Sequence, residues 1–322
     1  MTSPAVSPVF MFGFDRSGTT LLSMMVGSHP KIAVPLSTTG LWYDLADELS
    51  SNLTTDQEIE RAVDRLLAHE RIRLWDHDLD RSRLMPSIAA GDYGSVVTAF
   101  HDEYARQSGK PAWASMDIAT LDNMHSMNRW LPGSKFLHLV RDGRDVALSH
   151  QTYRYGLGNI AECAQKWDAR VTRNLRMGAM LDDDRYMVIR YEDLILGPED
   201  VLHRICNLVS VDYSPQMLDY GTAVNSKVPD DKKFLWPSLA EPPDHSKVER
   251  WRAEMTQSQR LVFEQRARSL LTELGYETYE SLPKSTGAAA LNIWYCLDQG
   301  HRMKRLRKRL AGLWPFAERR QR

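Results

Sequence analysis

The stretch Val9-Phe10-Met11-Phe12-Gly13-Phe14-Asp15-Arg16-Ser17-Gly18-Thr19-Thr20-Leu21-Leu22 decides the fold. Its opening run, Val9 to Phe14, is apolar and short, as in a strand buried on both faces. From Thr19 to Ser28 the apolar positions follow helical spacing, with Leu22, Met25 and Val26 on one face. His29-Pro30 ends this helix, because the residue before a proline is pushed out of the α region. Between strand and helix lies a loop bracketed by Gly13 and Gly18. Backbone N–H groups in such a loop, together with the helix N-terminus, cradle an anion.

Working outward, Lys135 to Val140 and Tyr186 to Arg190 read as further buried strands, and Ile32 to Val34 as a weaker one. Each strong run is followed by polar residues and then a helical pattern, the alternation of an α/β domain with a parallel sheet. Amphipathic helices are expected over Glu58 to Leu74 and Ile160 to Leu181. From Val224 to Ser246 four prolines break the pattern. A loop this long inside a compact domain is functional or mobile, and either a cover for the active site or a plain surface loop fits.

The chain has 322 residues, 43% hydrophobic and 26% charged, enough apolar material for one enlarged core. The net charge of -1 hides an asymmetry, because His301 to Arg322 holds nine Lys/Arg against one acidic residue. This divides the chain into a body over 1–286 and a basic amphipathic helical extension over 287–322. Trp294, Leu297, Leu306, Leu310 and Trp314 interleave there with arginines and lysines, a pattern that lies on an anionic membrane or packs back on the body. Cys163, Cys206 and Cys296 are widely spaced and odd in number, as expected of reduced thiols. Met1 to Pro8 lacks the charge of a signal peptide, and no apolar run reaches the roughly 20 residues of a membrane span. A cytoplasmic protein, peripheral to a membrane at most, is the expectation. Nothing points to nucleic acid, and oligomeric state is not legible.

The Gly13 to Gly18 spacing is that of a nucleotide phosphate loop, but Thr19 replaces the lysine that reaches the β and γ phosphates. The positive charge stands inside the loop as Arg16, whose planar guanidinium grips two oxygens at once. Thr19 and Thr20 add hydroxyl donors. The alternative is a strand-to-helix turn that these residues merely shape and cap. This loop resembles the 5′-phosphosulfate loop of the sulfotransferase superfamily, whose bacterial members often read R-S-G-T-T-L-L. By that resemblance Arg16, Ser17, Gly18, Thr19 and Thr20 bind the 5′ end of 3′-phosphoadenosine 5′-phosphosulfate (PAPS).

A second motif, Arg141-Asp142-Gly143-Arg144-Asp145-Val146-Ala147-Leu148-Ser149, follows the strand ending at Val140. Arg141 sits at the carboxyl end of that strand, where open α/β sheets bind ligands. Asp142 and Asp145 suit caps of the next helix. Alone this reads equally as a surface turn, yet Arg141 and Ser149 also match the superfamily's 3′-phosphate motif in type and spacing. Tyr191-Glu192-Asp193-Leu194 resembles a segment whose tyrosine lies near the nucleotide. Ser246 to Trp251 resembles one that closes over the donor, from which Lys247 is carried over only weakly. The resemblance implies a three-layer α/β sandwich with a central parallel sheet and a P-loop-like phosphosulfate-binding loop. It also implies sulfuryl transfer to a hydroxyl acceptor, with a glycan or glycolipid among the candidates.

In-line transfer needs the leaving group's charge neutralised by Arg16 and the loop amides, and no His/Cys/Asp cluster has metal-ligand spacing. It also needs a base for the acceptor proton. The glutamate that many relatives carry after H-P is absent from Lys31 to Gly40, and Met116-Asp117-Ile118 stands where relatives carry K-T-P. Asp117, at a strand end, is the candidate base; a cap for a helix over Ile118 to Trp130 is its other reading. Asp44 and His125 are weaker candidates, and Asp15 suits orientation of Arg16. Two other functions stay open: a P-loop-like nucleotide-dependent phosphotransferase, and a donor-binding protein without catalysis.

Overall fold

The computed structural model describes residues 7–279, except 37, 44, 47, 50–52, 89–90, 118–123, 154–155, 158 and 229–238. Five strands, β1 (Val9–Gly13), β2 (Ile32–Ala33), β3 (Ala112–Met116), β4 (Lys135–Val140) and β5 (Tyr186–Arg190), form one sheet. Their order is β2-β3-β1-β4-β5 and every pairing is parallel. The helices are α1 (Thr19–Gly27), α2 (Asp56–Leu67), α3 (Arg81–Leu84), α4 (Tyr93–Gln107), α5 (Met124–Trp130) and α6 (Gly143–Thr152). They continue as α7 (Ile160–Gly178), α8 (Tyr191–Leu196), α9 (Pro198–Leu208), α10 (Tyr220–Lys227), α11 (Trp251–Glu254) and α12 (Gln257–Glu273). The chain divides into two compact units, one within residues 1–141 and 173–245, the other within 142–172 and 246–322.

The first unit holds the whole sheet. All five residues of β1 are buried, which is why that run carries no polar alternation. Successive side chains point to opposite faces. Phe10 and Phe12, with Trp113 and Phe136, pack against α2 and α4 through Val63, Leu66, Val97 and Phe100. The Phe10 ring meets Trp42 edge-on at 5.2 Å and stacks on Phe136 at 5.6 Å, each such pair adding about 0.5–1.5 kcal/mol beyond burial. The other face carries α1, whose Leu22, Met25 and Val26 are buried, and α10 lies beside it. Helices therefore cover both faces of a parallel sheet, the expected three-layer α/β arrangement.

Several elements differ from the sequence reading. The strand expected to end at Asp117 is β3, whose run Ala112-Trp113-Ala114-Ser115-Met116 lacks β-branched residues and is held as a strand between β1 and β2. The expected helix over 58–74 stops earlier. α2 opens at a Thr55/Glu58 capping box and ends at Leu67, and a separate 3₁₀ turn follows at Ile72–Leu74. The helix expected to Leu181 ends at Gly178, where a side chain would run into the Tyr186 ring. Residues 224–227 belong to α10 rather than to the irregular stretch. Of the helix expected over 118–130, the described part is α5.

In the second unit Arg144 is fully buried. Its guanidinium takes both carboxylate oxygens of Asp142, at 3.0 and 2.8 Å, and donates to Glu264 on α12 at 2.8 Å. It also lies 3.6 Å over the Trp251 ring. Asp142 caps α6 as expected, accepting from the Arg144 amide. Asp145 does something else: its Oδ1 accepts the Trp251 amide at 2.8 Å, fastening the chain that leaves Ser246 to α6. Among the described residues no helix is long and apolar enough to cross a membrane.

Candidate functional site

The parallel register brings the loop after β1, Asp117 after β3, Arg141 after β4 and Tyr191 after β5 to the carboxyl edge of the sheet. Gly13 is required there because a Cβ would strike the carbonyl oxygen of Leu139 on the neighbouring strand. Two residues then turn the chain through the left-handed region, Arg16 at φ 69° and Gly18 at φ 97°. For a residue other than glycine that conformation costs on the order of 1–3 kcal/mol, and such strain collects at ligand clamps.

The loop ends on α1, which begins without a capping side chain and without an acidic residue in its first turn. Its first N–H groups are therefore left to whatever anion arrives. Ser17 is completely buried, and among the described residues its hydroxyl meets no hydrogen-bond partner. An unsatisfied buried hydroxyl costs about 1–3 kcal/mol, a cost that a bound oxyanion removes. Thr19 is buried, Thr20 half-buried and Asp15 exposed. The residues present thus fit a phosphosulfate in kind: helix N-terminal amides, the Ser17 hydroxyl and an arginine within a glycine-shaped turn.

Arg141 and Tyr191 come to the same loop. The Arg141 guanidinium donates through Nη1 to the carbonyl of Arg16 at 3.1 Å and lies 4.3 Å above the Tyr191 ring. Gly18 backs onto that ring, where a Cβ would stand 2.6 Å from its carbons. The hydroxyl of Tyr220 donates to the carbonyl of Glu241, and burial, helped by Tyr191, pushes it up to about 12. Ser149 stands half-buried on α6 of the second unit, and Lys247 lies in a 3₁₀ turn of the same unit.

Asp117 is fully buried. Its amide extends the ladder by donating to Met11, and its Oδ2 accepts the Gly40 amide at 3.0 Å. The Thr38 hydroxyl donates to the carbonyl of Met116 at 2.6 Å, so residues 38–40 are tied to the end of β3. Sequence reasoning missed this tie, since it joins positions nearly eighty residues apart and leaves no local pattern. Asp44 and the side chain of His125 lie outside the described residues. Among the described residues no group of three His, Cys, Asp or Glu is placed to hold a metal.

A family model described as "Sulfotransferase family" matches residues 8–215. A protein-tyrosine sulfotransferase of Drosophila melanogaster is 25% identical over 222 residues, covering 67% of this chain and 40% of that protein. Protein-tyrosine sulfotransferase 2 of Gallus gallus is 25% identical over 221 residues, covering 66% of this chain and 53% of that protein. The chain thus spans about half the length of such relatives. Among solved structures, the sulfotransferase domain of the Synechococcus PCC 7002 olefin synthase aligns over 88% of this chain and 98% of its own. That alignment has a TM-score of 0.57 at 21% identity. The sulfotransferase domain from the curacin biosynthetic pathway aligns over 86% and 99%, with a TM-score of 0.55 at 18% identity. At these identities the structural likeness bears on the fold.

Proposed function

Because the chain belongs to the sulfotransferase family, we propose that it moves a sulfuryl group from PAPS to a hydroxyl-bearing acceptor. One observation carries this reading: the loop at Asp15 to Thr20 holds a buried Ser17 hydroxyl that meets no hydrogen-bond partner among the described residues, yet lacks the lysine of a nucleotide phosphotransferase. In the proposal Arg16, Ser17, Gly18, Thr19 and Thr20 hold the 5′ end, Arg141 and Ser149 the 3′-phosphate, and Tyr191 lies by the nucleotide. The donor supplies the sulfuryl group. Arg16 neutralises charge on the departing bisphosphate, and the loop amides add to it without reorganising. Asp117 takes the acceptor proton, for which its carboxylate must exchange the Gly40 amide for the acceptor hydroxyl. The relatives named for protein tyrosine favour a phenolic hydroxyl, and the basic stretch from residue 287 favours a saccharide or lipid-linked one.

The test is calorimetric binding of 3′-phosphoadenosine 5′-phosphate. Binding is expected for the wild type, weakened roughly tenfold or more in Arg16→Ala, as for loss of a charged hydrogen bond. Binding of ATP or GTP in its place overturns the reading in favour of a phosphotransferase. A second reading, donor binding without transfer, is favoured by the engagement of the Asp117 carboxylate with Gly40. Donor turnover by the wild type separates the two, and Asp117→Asn then tests the base. A base role predicts about a 100-fold or greater loss of turnover at unchanged bisphosphate affinity. An enzyme in which Asp117 only tethers residue 40 keeps its turnover.

A further inference from the structure

Arg141 is assigned above to the 3′-phosphate, but its position shows a second task. Its Nη1 donates to the carbonyl of Arg16, the residue held at φ 69°, and its guanidinium plane rests on Tyr191. The opposite requirement comes from Gly18, whose missing side chain is the space that the Tyr191 ring fills. These contacts form a closed chain, Arg16–Arg141–Tyr191–Gly18, that begins and ends in the loop. All of its members lie in the first unit. A left-handed non-glycine residue persists only where its surroundings over-determine it. Two of the residues around this loop are buried Arg141, 6% exposed, and buried Tyr191, 7% exposed.

We infer that Arg141 is a positioning residue for the 5′ loop: through the Arg16 carbonyl and the Tyr191 ring it holds the loop in the shape that presents the Ser17 hydroxyl and the α1 amides. This rests on the donor assignment of the loop proposed above. It adds that the arginine of the 3′ motif sets affinity at the 5′ end, even for a ligand that has no 3′-phosphate. A guanidinium suits this task, since its flat fork lets one edge serve a carbonyl while the face lies on a ring. A lysine in its place offers a point charge and no plane.

The experiment compares two ligands, 3′-phosphoadenosine 5′-phosphate and adenosine 5′-phosphosulfate, which lacks the 3′-phosphate. Binding is measured for wild type, Arg141→Ala, Arg141→Lys and Tyr191→Ala. Arg141→Ala and Tyr191→Ala are expected to weaken adenosine 5′-phosphosulfate about tenfold, one charged hydrogen bond or its platform being lost. Arg141→Lys should do nearly the same to this ligand while keeping much of the bisphosphate affinity. Hydrogen exchange of the unliganded proteins gives an independent readout. The Ser17 and Gly18 amides should exchange faster in the two alanine variants, with α4 and β3 unchanged, which separates loop release from general unfolding. If Arg141→Ala binds adenosine 5′-phosphosulfate within twofold of wild type, or leaves the loop amides unchanged, the inference is wrong and Arg141 serves the 3′-phosphate alone. If wild-type protein binds neither ligand, the donor reading itself falls.

Discussion

Arg141 and Arg144 stand three residues apart in one motif and meet burial in different ways. Arg144 is sealed: a bidentate contact with Asp142, an ion pair with Glu264 and the Trp251 ring surround its guanidinium. Arg260 shares the same oxygen of Glu264 at 2.7 Å, and the Tyr279 amide takes the other at 2.8 Å. Taking charges out of water is costly unless they are paired and hydrogen-bonded, and this cluster satisfies that condition with protein groups. Arg141 instead reaches a backbone carbonyl and an aromatic face, beside a loop whose Ser17 hydroxyl meets no hydrogen-bond partner among the described residues. The same residue type is thus held by carboxylates in one place and by a carbonyl and a ring in the other.

The sharpest way to break this comparison is to remove one member of the sealed cluster. Glu264→Ala is expected to lower stability by about 3–5 kcal/mol, because it leaves buried charge uncompensated. Urea denaturation measures it. A loss under about 1 kcal/mol would show that the cluster contributes little and that the two arginines are less distinct than drawn.

His101 sharpens the comparison from a third side, as a buried group kept neutral instead of paired. It is stacked among Trp42, Trp75 and Trp113 and bonded to the carbonyl of Val97. Burial lowers it from 6.5 to about 4, with the Val97 carbonyl working in the other direction. The folded state therefore binds fewer protons than the unfolded one below the ordinary histidine value. Its contribution is complete above about pH 6.5 and is lost as pH falls toward 4. The stability difference between wild type and His101→Phe should change by roughly 3 kcal/mol across that window. A pH-independent difference would mean that the ring is protonated where it lies.

The smallest expected effect is at the Thr256/Gln259 capping box that starts α12, the helix bearing Glu264. Thr256→Ala should cost about 1 kcal/mol in thermal or urea unfolding and leave bisphosphate affinity unchanged. A change in affinity would show that the start of α12 also bears on donor binding.

The sequence carried a good deal of this. Three strands were legible because each is a short apolar run closed by glycine or charge, and α1 because its apolar face ends at a clear stop. β3 was legible only as the strand end at Asp117, since two alanines and a serine lack a strand pattern of their own and the extent of the strand is set by its two partners. In the candidate site, the loop from Gly13 to Thr20 is readable because strand, turn and helix N-terminus are contiguous.

What the sequence alone determined is therefore the set of local conformations and donors: a lysine-free anion loop after β1, an arginine after β4 and a tyrosine after β5. Which of them touch was decided by the parallel ladder. Its register sets the ends of β1, β4 and β5 side by side, so Arg141 reaches a carbonyl 125 positions away and a ring 50 positions on. Asp117 received its Gly40 amide at the end of the same ladder, while Arg144 met Glu264 through the packing of α12 on α6. Spacing along the chain encodes hydrogen bonds that close within a few residues. Contacts between distant segments follow from burying both faces of one sheet, a requirement of the whole core that no single segment records.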